Sequence, residues 1–377
     1  MAAAIVGADI GTSVFYSTGV IRTYVGFAAP LMILAVCILM WLFKQTYEEG
    51  CAASPFNGGA YMMVLQTVGR RLAMVVGALT ILSYLATAAV SAISGAFYLD
   101  SFDNINNWPT LSIVLVACVP VVIFGLLNII GIKEPAKIVF TVALFHFSLL
   151  LAMDGTGLVM ALMRHADFGR VFSGLAQIPP QNMVHGFAAA FLGITGFESA
   201  AQIVEQLRTP TWRTLRIVYL VVVVLVGITA PLTSYLCLIL LTPEQIDVYA
   251  NNLLSGLAFV EWGHTGLMIL VLDACLILFA AVNTAYAGCI GLCTTMAKQG
   301  NLPGFFLRRW ADDAPWPLSL WKRRLPFLQG YPNVALTFMA VTIAMICILP
   351  GEVDTLGEVY GMAFLGVMMS FCLGVIL

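Results

Sequence analysis

The chain has 377 residues, of which 61% are hydrophobic and only 10% charged, with a mean hydropathy of +0.97 and a net charge of −2. Water-soluble domains carry about 25% charged residues, so this composition excludes one and indicates a polytopic helical membrane protein. The nine cysteines are scattered through apolar runs, and Cys289 and Cys293 read as small apolar residues on one helix face rather than as a metal or disulfide pair.

Apolar stretches of about 20 residues predict ten membrane-spanning helices. They run near residues 3 to 21, 27 to 43, 72 to 99, 110 to 130, 138 to 163, 185 to 206, 216 to 242, 264 to 296, 333 to 350 and 355 to 377, and the second extends as far as Cys51 on a longer reading.

Span 1 holds an acid and a phenol seven residues apart, Asp9 and Tyr16, among Gly7, Gly11 and Gly19. A carboxylate at mid-membrane costs roughly 2.5 to 3.5 kcal/mol, so it is expected to have a partner or a task. In an unbroken helix Asp9 and Tyr16 would lie about 10 Å apart along the axis, and only a broken span brings both to one ligand. The neighbouring Gly11, Thr12 and Ser13 mark that break. Taken alone, Tyr16 also reads as an interfacial aromatic. Span 5 carries one imidazole, His146, and span 6 repeats the span 1 pattern with Gly186, Gly193 and Gly196 followed by Glu198. Further intramembrane acids are Asp273 in span 8 and Asp154 near an outer end.

Placing the N-terminus in the cytoplasm puts fourteen of the seventeen Lys and Arg in inner loops, from Lys44 through the cluster Lys298, Arg308, Arg309, Lys322, Arg323 and Arg324. Only Arg22, Arg164 and Arg170 fall outside, a strong positive-inside signal that places both ends of the chain on the cytoplasmic side of the cell membrane. The basic loop from Lys298 to Arg324 reads as topological charge and lipid contact, and nucleic-acid binding is not expected. A phosphate-cradling Gly-Lys-Ser or Gly-Lys-Thr loop is lacking, and no close set of His, Cys and carboxylates suggests a metalloenzyme or other catalyst.

Ten spans divide into two sets of five, residues 1–165 and 166–377, each opening on a Gly-interrupted span that contains an acid. Paired interruptions of this kind point to a transporter site between inverted repeats; the competing reading is that the glycines only permit close helix packing.

At this point a resemblance is visible over essentially the whole chain. Glu48-Glu49 followed by Pro55-Phe56-Asn57-Gly58-Gly59-Ala60-Tyr61, Gly131-Ile132-Lys133-Glu134 between spans 4 and 5, Thr195-Gly196-Phe197-Glu198 in span 6, and Asn283-Thr284-Ala285 with Met296-Ala297-Lys298-Gln299-Gly300-Asn301-Leu302-Pro303 in span 8 resemble motifs of the amino acid, polyamine and organocation (APC) superfamily. The resemblance implies an all-α LeuT-type fold of ten helices in a single membrane domain, with 5+5 inverted repeats and spans 1 and 6 discontinuous. It also implies flanking segments beyond both ends of the sequence. The run Asp9-Ile10-Gly11-Thr12-Ser13-Val14-Phe15-Tyr16 is similar to the signature of KUP-type and KimA-like potassium importers. What that similarity implies as substrate ligands, besides span 1, is Tyr84, Thr87 and Ser91 in span 3, Thr195 in span 6, and Tyr360 in span 10; hydroxyls bonded to their own backbone are the alternative for Thr87 and Ser91. The span 6 break itself places the substrate against Gly193 to Gly196. Ser83 stands where KimA-like relatives have an acid.

Coupling needs a titratable group or a second ion. Proton-using superfamily members often carry a lysine in span 5 where this chain has His146, which implies a proton carrier in the cleft between spans 1, 5 and 8; a structural histidine on an apolar helix, with Asp9 as the titrating group, is the alternative. Glu198 is placed to order the span 6 break, and Asn283 with Thr284 offers a sodium site instead of a proton. The expected activity is secondary active transport without a cofactor, with proton-coupled potassium uptake leading and an amino acid or polyamine permease as the alternative. A passive channel and a non-transporting sensor are the remaining classes. An ionised Asp9 repels an incoming carboxylate and attracts an alkali cation or ammonium group, which favours a cationic solute over a zwitterionic one. The sequence fixes no oligomeric state.

Overall fold

The computed structural model describes residues 11–54, 58–103, 108–131, 136–194, 196, 201, 211–309 and 330–377. The helices are α1 (Val14–Val25), α2 (Ala29–Ala53), α3 (Gly59–Thr67), α4 (Arg70–Asp100), α5 (Thr110–Ile130), α6 (Ala136–Met163), α7 (Pro180–Ala190), α8 (Thr211–Leu240), α9 (Pro243–Val248), α10 (Leu253–Lys298), α11 (Pro332–Ile348) and α12 (Val353–Ile376). No strand occurs among the described residues. The protein is a nearly all-helical polytopic membrane protein, and seven helical stretches among the described residues are long and apolar enough to cross a bilayer. The first of these runs from Val14 to Ala53 and takes in α1 and α2; α11, at 17 residues, is shorter.

Local chemistry sets the helix ends. Proline stands in the first turn of α2, α7, α9 and α11, where its missing N–H would have had no partner. A capping box, Thr242 with Gln245, starts α9, and Gly131 in the left-handed region ends α5. The second expected span extends to Ala53 as one helix, since nothing in Lys44 to Cys51 breaks it and a Lys44–Glu48 ion pair at 2.7 Å supports the added turn.

The expected eighth span, 264 to 296, coincides with the part of α10 that follows Gly263. Helix α10 is two helical segments joined at Gly263, whose φ of 67° and ψ of −155° are foreign to a helix, and a shorter segment from Leu253 precedes the expected span. Glu261 and Trp262, just before that bend, keep this first segment out of the apolar window. At the centre stands α4, buried continuously from Ala86 to Ala96, which marks a helix enclosed on all sides rather than one facing lipid. It packs along α10 and α12, while α2 packs along α8, α5 along α11 and α1 against α7.

Two helices lose regularity where the glycine pattern anticipated it. Thr12 and Ser13 form a turn immediately before α1, and α7 gives way at Phe191–Ile194 to a tighter 3-10 turn followed by Gly196 at a φ of 81°. Helix α12 braces this region closely: the carbonyl of Ala188 lies 2.8 Å from where a Cβ on Gly361 would stand.

Candidate functional site

The two interruptions meet. The Ser13 hydroxyl donates to the Gly193 carbonyl at 2.7 Å, joining chain segments 180 residues apart at a point sealed from solvent. Beside it the Thr12 and Tyr16 hydroxyls lie 3.3 Å apart. Ser17, on the same helix, faces Gly193, and its hydroxyl has no partner among the described residues. Thr12, Ser13, Tyr16 and Ser17 are all buried, so the turn before α1 carries a cluster of hydroxyls inside an apolar bundle. Irregular backbone at this depth is tolerated only where protein or a polar cavity satisfies it.

A second arrangement abuts the span 1 turn. His146 on α6 is fully buried, with Nδ1 2.7 Å from Asp273 Oδ2 on α10 and Nε2 3.0 Å from the Gly11 carbonyl. A carbonyl only accepts, so Nε2 carries a hydrogen and donates it to Gly11. The ring is held by Phe15 and Phe147, with centroids 5.2 and 5.3 Å away. Gly11 is required here: a Cβ would stand 2.7 Å from His146 Cδ2. Asp273 Oδ1 is buried and has no partner among the described residues. Span 5, span 8 and the break in span 1 therefore converge on one imidazole.

The other expected residues divide. Gly193 and Ser13 lie at the junction, and Gly196 continues the interruption of span 6. The Tyr84 ring lies against Gly288 of α10, and Tyr360 is buried against Phe364 one turn further along α12. The Thr87 hydroxyl donates to the Ser83 carbonyl at 2.9 Å and that of Thr284 to the Ala280 carbonyl at 3.1 Å, both back-bonds within their own helices. Ser91 is buried without a described partner. Asn283 accepts from Asn128 at 2.7 Å and so ties α10 to α5. Asp9, Thr195 and Glu198 lie outside the described residues.

The sequence did not single out Tyr98 on α4, whose hydroxyl donates to the Phe15 carbonyl at 2.8 Å and whose ring meets Phe15 edge-on at 5.0 Å. Nothing in its spacing marks it, since it falls in a run of buried small residues. Asp273 was visible as a mid-span acid, but its partner was not.

Ties between elements also occur towards each membrane face. The Tyr24 hydroxyl donates to Glu358, joining α1 to α12. At the opposite end Arg70 bonds to Asn301 and, at 2.6 Å, to the Gly300 carbonyl, while Asn301 donates to the Tyr61 hydroxyl at 2.6 Å. The expected basic inner loop thus contributes one latch among α3, α4 and the end of α10.

A helical membrane bundle with two interrupted helices meeting at a buried polar point defines the class of protein. The amino acid permease family model matches residues 1–377, and the chain belongs to that family, within the APC superfamily. Among curated relatives, an uncharacterized protein of Methanocaldococcus jannaschii is 24% identical over 81% of this chain and 68% of its own length. The potassium transporter KimA of Bacillus subtilis is 23% identical over 75% of this chain and 46% of its own. The vacuolar cationic amino acid transporter 2 of Arabidopsis thaliana is 27% identical over 54% of this chain and 34% of its own. The chain therefore spans less than half the length of the two relatives whose names state a substrate.

Proposed function

We propose that this chain is the membrane core of a secondary transporter that works by alternating access, with ten spans in two inverted repeats and a core of spans 1, 2, 6 and 7 moving against spans 3, 4, 8 and 9. The observation that carries this reading is the Ser13–Gly193 bond, which brings both interrupted spans to one buried polar point. The leading substrate is potassium, taken up with a proton. The polar atoms described there are hydroxyl and carbonyl oxygens of Thr12, Ser13, Tyr16, Ser17 and Gly193, the hard ligands an alkali ion prefers. Asp9 in the adjoining sequence supplies the charge, and the similarity to KimA supports the same choice. His146, bonded to the Gly11 carbonyl, is the proton carrier.

A second reading, an amino acid or polyamine permease, is supported by the family description and the cationic amino acid transporter among the relatives. Flux into proteoliposomes separates the two, measured with rubidium and, separately, with a labelled amino acid pool. Rubidium uptake that is driven by an inward proton gradient and lost in Asp9→Asn is the expected result. Amino acid uptake that persists in Asp9→Asn, with no rubidium flux in the unaltered protein, would overturn the potassium reading.

A further inference from the structure

We propose that Asp273 is a positioning residue that makes His146 a proton-operated latch on span 1, by deciding which of the ring's two hydrogen bonds is lost when the proton leaves. The proposal rests on the reading of His146 as proton carrier and names a second residue on which that role depends.

The reasoning is a count of hydrogens against acceptors. The ring faces two acceptors, the Asp273 carboxylate at 2.7 Å and the Gly11 carbonyl at 3.0 Å, and both contacts require a hydrogen. Two hydrogens therefore belong to the pair in this structure, one on Nε2 and one between Nδ1 and Oδ2, and the pair is neutral overall. When one proton leaves, a single hydrogen remains for two acceptors. A lone pair turned toward an ionised carboxylate is repelled more strongly than one turned toward a neutral carbonyl, so the remaining hydrogen stays on Nδ1. Nε2 then presents its lone pair to the Gly11 oxygen, and that contact opens.

A lone imidazole would not behave this way. Without a carboxylate, the neutral ring keeps its hydrogen on Nε2 and stays bonded to Gly11, because that is the only acceptor on offer. Asp273 thus converts proton loss into release of the span 1 turn. Its burial, with Oδ1 lacking any described partner, keeps the carboxylate dependent on the ring. The ring's other described neighbours are the phenyl groups of Phe15 on α1 and Phe147 on α6, and Tyr98 from α4 is engaged by its hydroxyl at the Phe15 carbonyl; Asp9, two residues before Gly11 in the sequence, lies outside the described residues.

The test reads the ring directly. Nitrogen-15 NMR of histidine-labelled protein in nanodiscs has four histidines to resolve, with His146 assigned by its absence in His146→Gln. At high pH the neutral ring of the unaltered protein is expected to be the Nδ1–H form. In Asp273→Asn the side-chain amide donates to Nδ1, and the neutral ring is expected to be the Nε2–H form. An Nε2–H ring at high pH in the unaltered protein, or an Nδ1–H ring in Asp273→Asn, would overturn the proposal. Should Asp273→Asn not fold, the tautomer of the unaltered protein decides alone. Rubidium flux in the same samples keeps the two readings apart: the ring pattern without flux sinks potassium transport and leaves the latch, and flux without the ring pattern sinks the latch.

Discussion

Gly11→Ala probes the contact between span 1 and His146 most directly. The new Cβ would stand 2.7 Å from Cδ2 and 2.9 Å from Nε2 of the ring, where carbon atoms prefer about 3.5 to 4.0 Å. The ring must therefore retreat by about 1 Å, which stretches the present 3.0 Å bond to Gly11 beyond hydrogen-bonding range. Overpacking costs about 1–3 kcal/mol and an ordinary hydrogen bond contributes about 0.5–1.5 kcal/mol, so the expected loss of stability is about 1.5–4.5 kcal/mol. Substituting glycine also restricts the unfolded chain, an effect that a double-mutant cycle with His146→Ala cancels. In the His146→Ala background the methyl enters vacated space, and Gly11→Ala should be close to neutral. Thermal unfolding in nanodiscs, followed by tryptophan fluorescence, measures all four corners. An equal cost of Gly11→Ala in both backgrounds would refute the assigned contact.

Other contacts carry their own expectations. Ser13→Ala leaves the buried Gly193 carbonyl without its 2.7 Å donor and should cost about 1–3 kcal/mol in the same unfolding assay, together with a slower initial flux. Tyr98→Phe keeps the edge-on packing against Phe15 and loses only the bond to its carbonyl, about 1 kcal/mol, whereas Tyr98→Ala should cost about 3–5 kcal/mol. At Gly157 on α6 a Cβ would collide with the Glu261 carboxylate, so Gly157→Ala should destabilise by about 1–3 kcal/mol, and Glu261→Ala in the same chain should reduce that penalty to what the 3.0 Å approach to Leu236 Cδ1 leaves. Gly361→Ala forces α12 away from the Ala188 carbonyl and is expected to cost a similar amount, about 1–3 kcal/mol, with no change in the pH dependence of the His146 ring.

Local pattern and long-range contact were not equally legible in the sequence. Apolar length located helices well, as at Thr110–Ile130, because a run of that hydropathy has no other way to satisfy its backbone in lipid. Glycine spacing located the turn at Thr12–Ser13 and the change at Phe191–Ile194, since both reflect the chain's own conformational preferences. Where polarity and helicity disagree, as at Glu261 and Trp262, the hydropathy reading missed the helical segment from Leu253 to Trp262 that precedes the eighth span. The pairing of His146 with Asp273 joins residues 127 positions apart. Each was marked as costly in a membrane, but cost alone does not say what relieves it. Thr87 and Thr284 show the converse: their spacing fits a ligand or a back-bond equally, and only the geometry reveals the bonds to Ser83 and Ala280.

The pairing bears on what the site can carry. An isolated imidazolium beside the span 1 turn would repel a cation bound there, and proton loading would then oppose potassium binding outright. On the proposed assignment of hydrogens, the loaded pair is neutral and the unloaded pair carries one negative charge. If a monovalent ion bound about 8 Å from the pair, that unit charge would be worth roughly 2 kcal/mol at an effective dielectric constant near 20, or about thirtyfold in affinity. A cation at the breaks is therefore held more tightly once the proton has left, and a solute that presents a carboxylate to the same backbone amides is held less tightly. Direct electrostatics favours carrying a proton together with a carboxylate, so proton-coupled potassium uptake requires the coupling to run through the position of span 1. The apparent affinity for rubidium, compared at one high pH, should be lower in Asp273→Asn, where the carboxylate charge is gone, than in the unaltered protein. An unchanged affinity would place the charge that the cation senses elsewhere than on this pair.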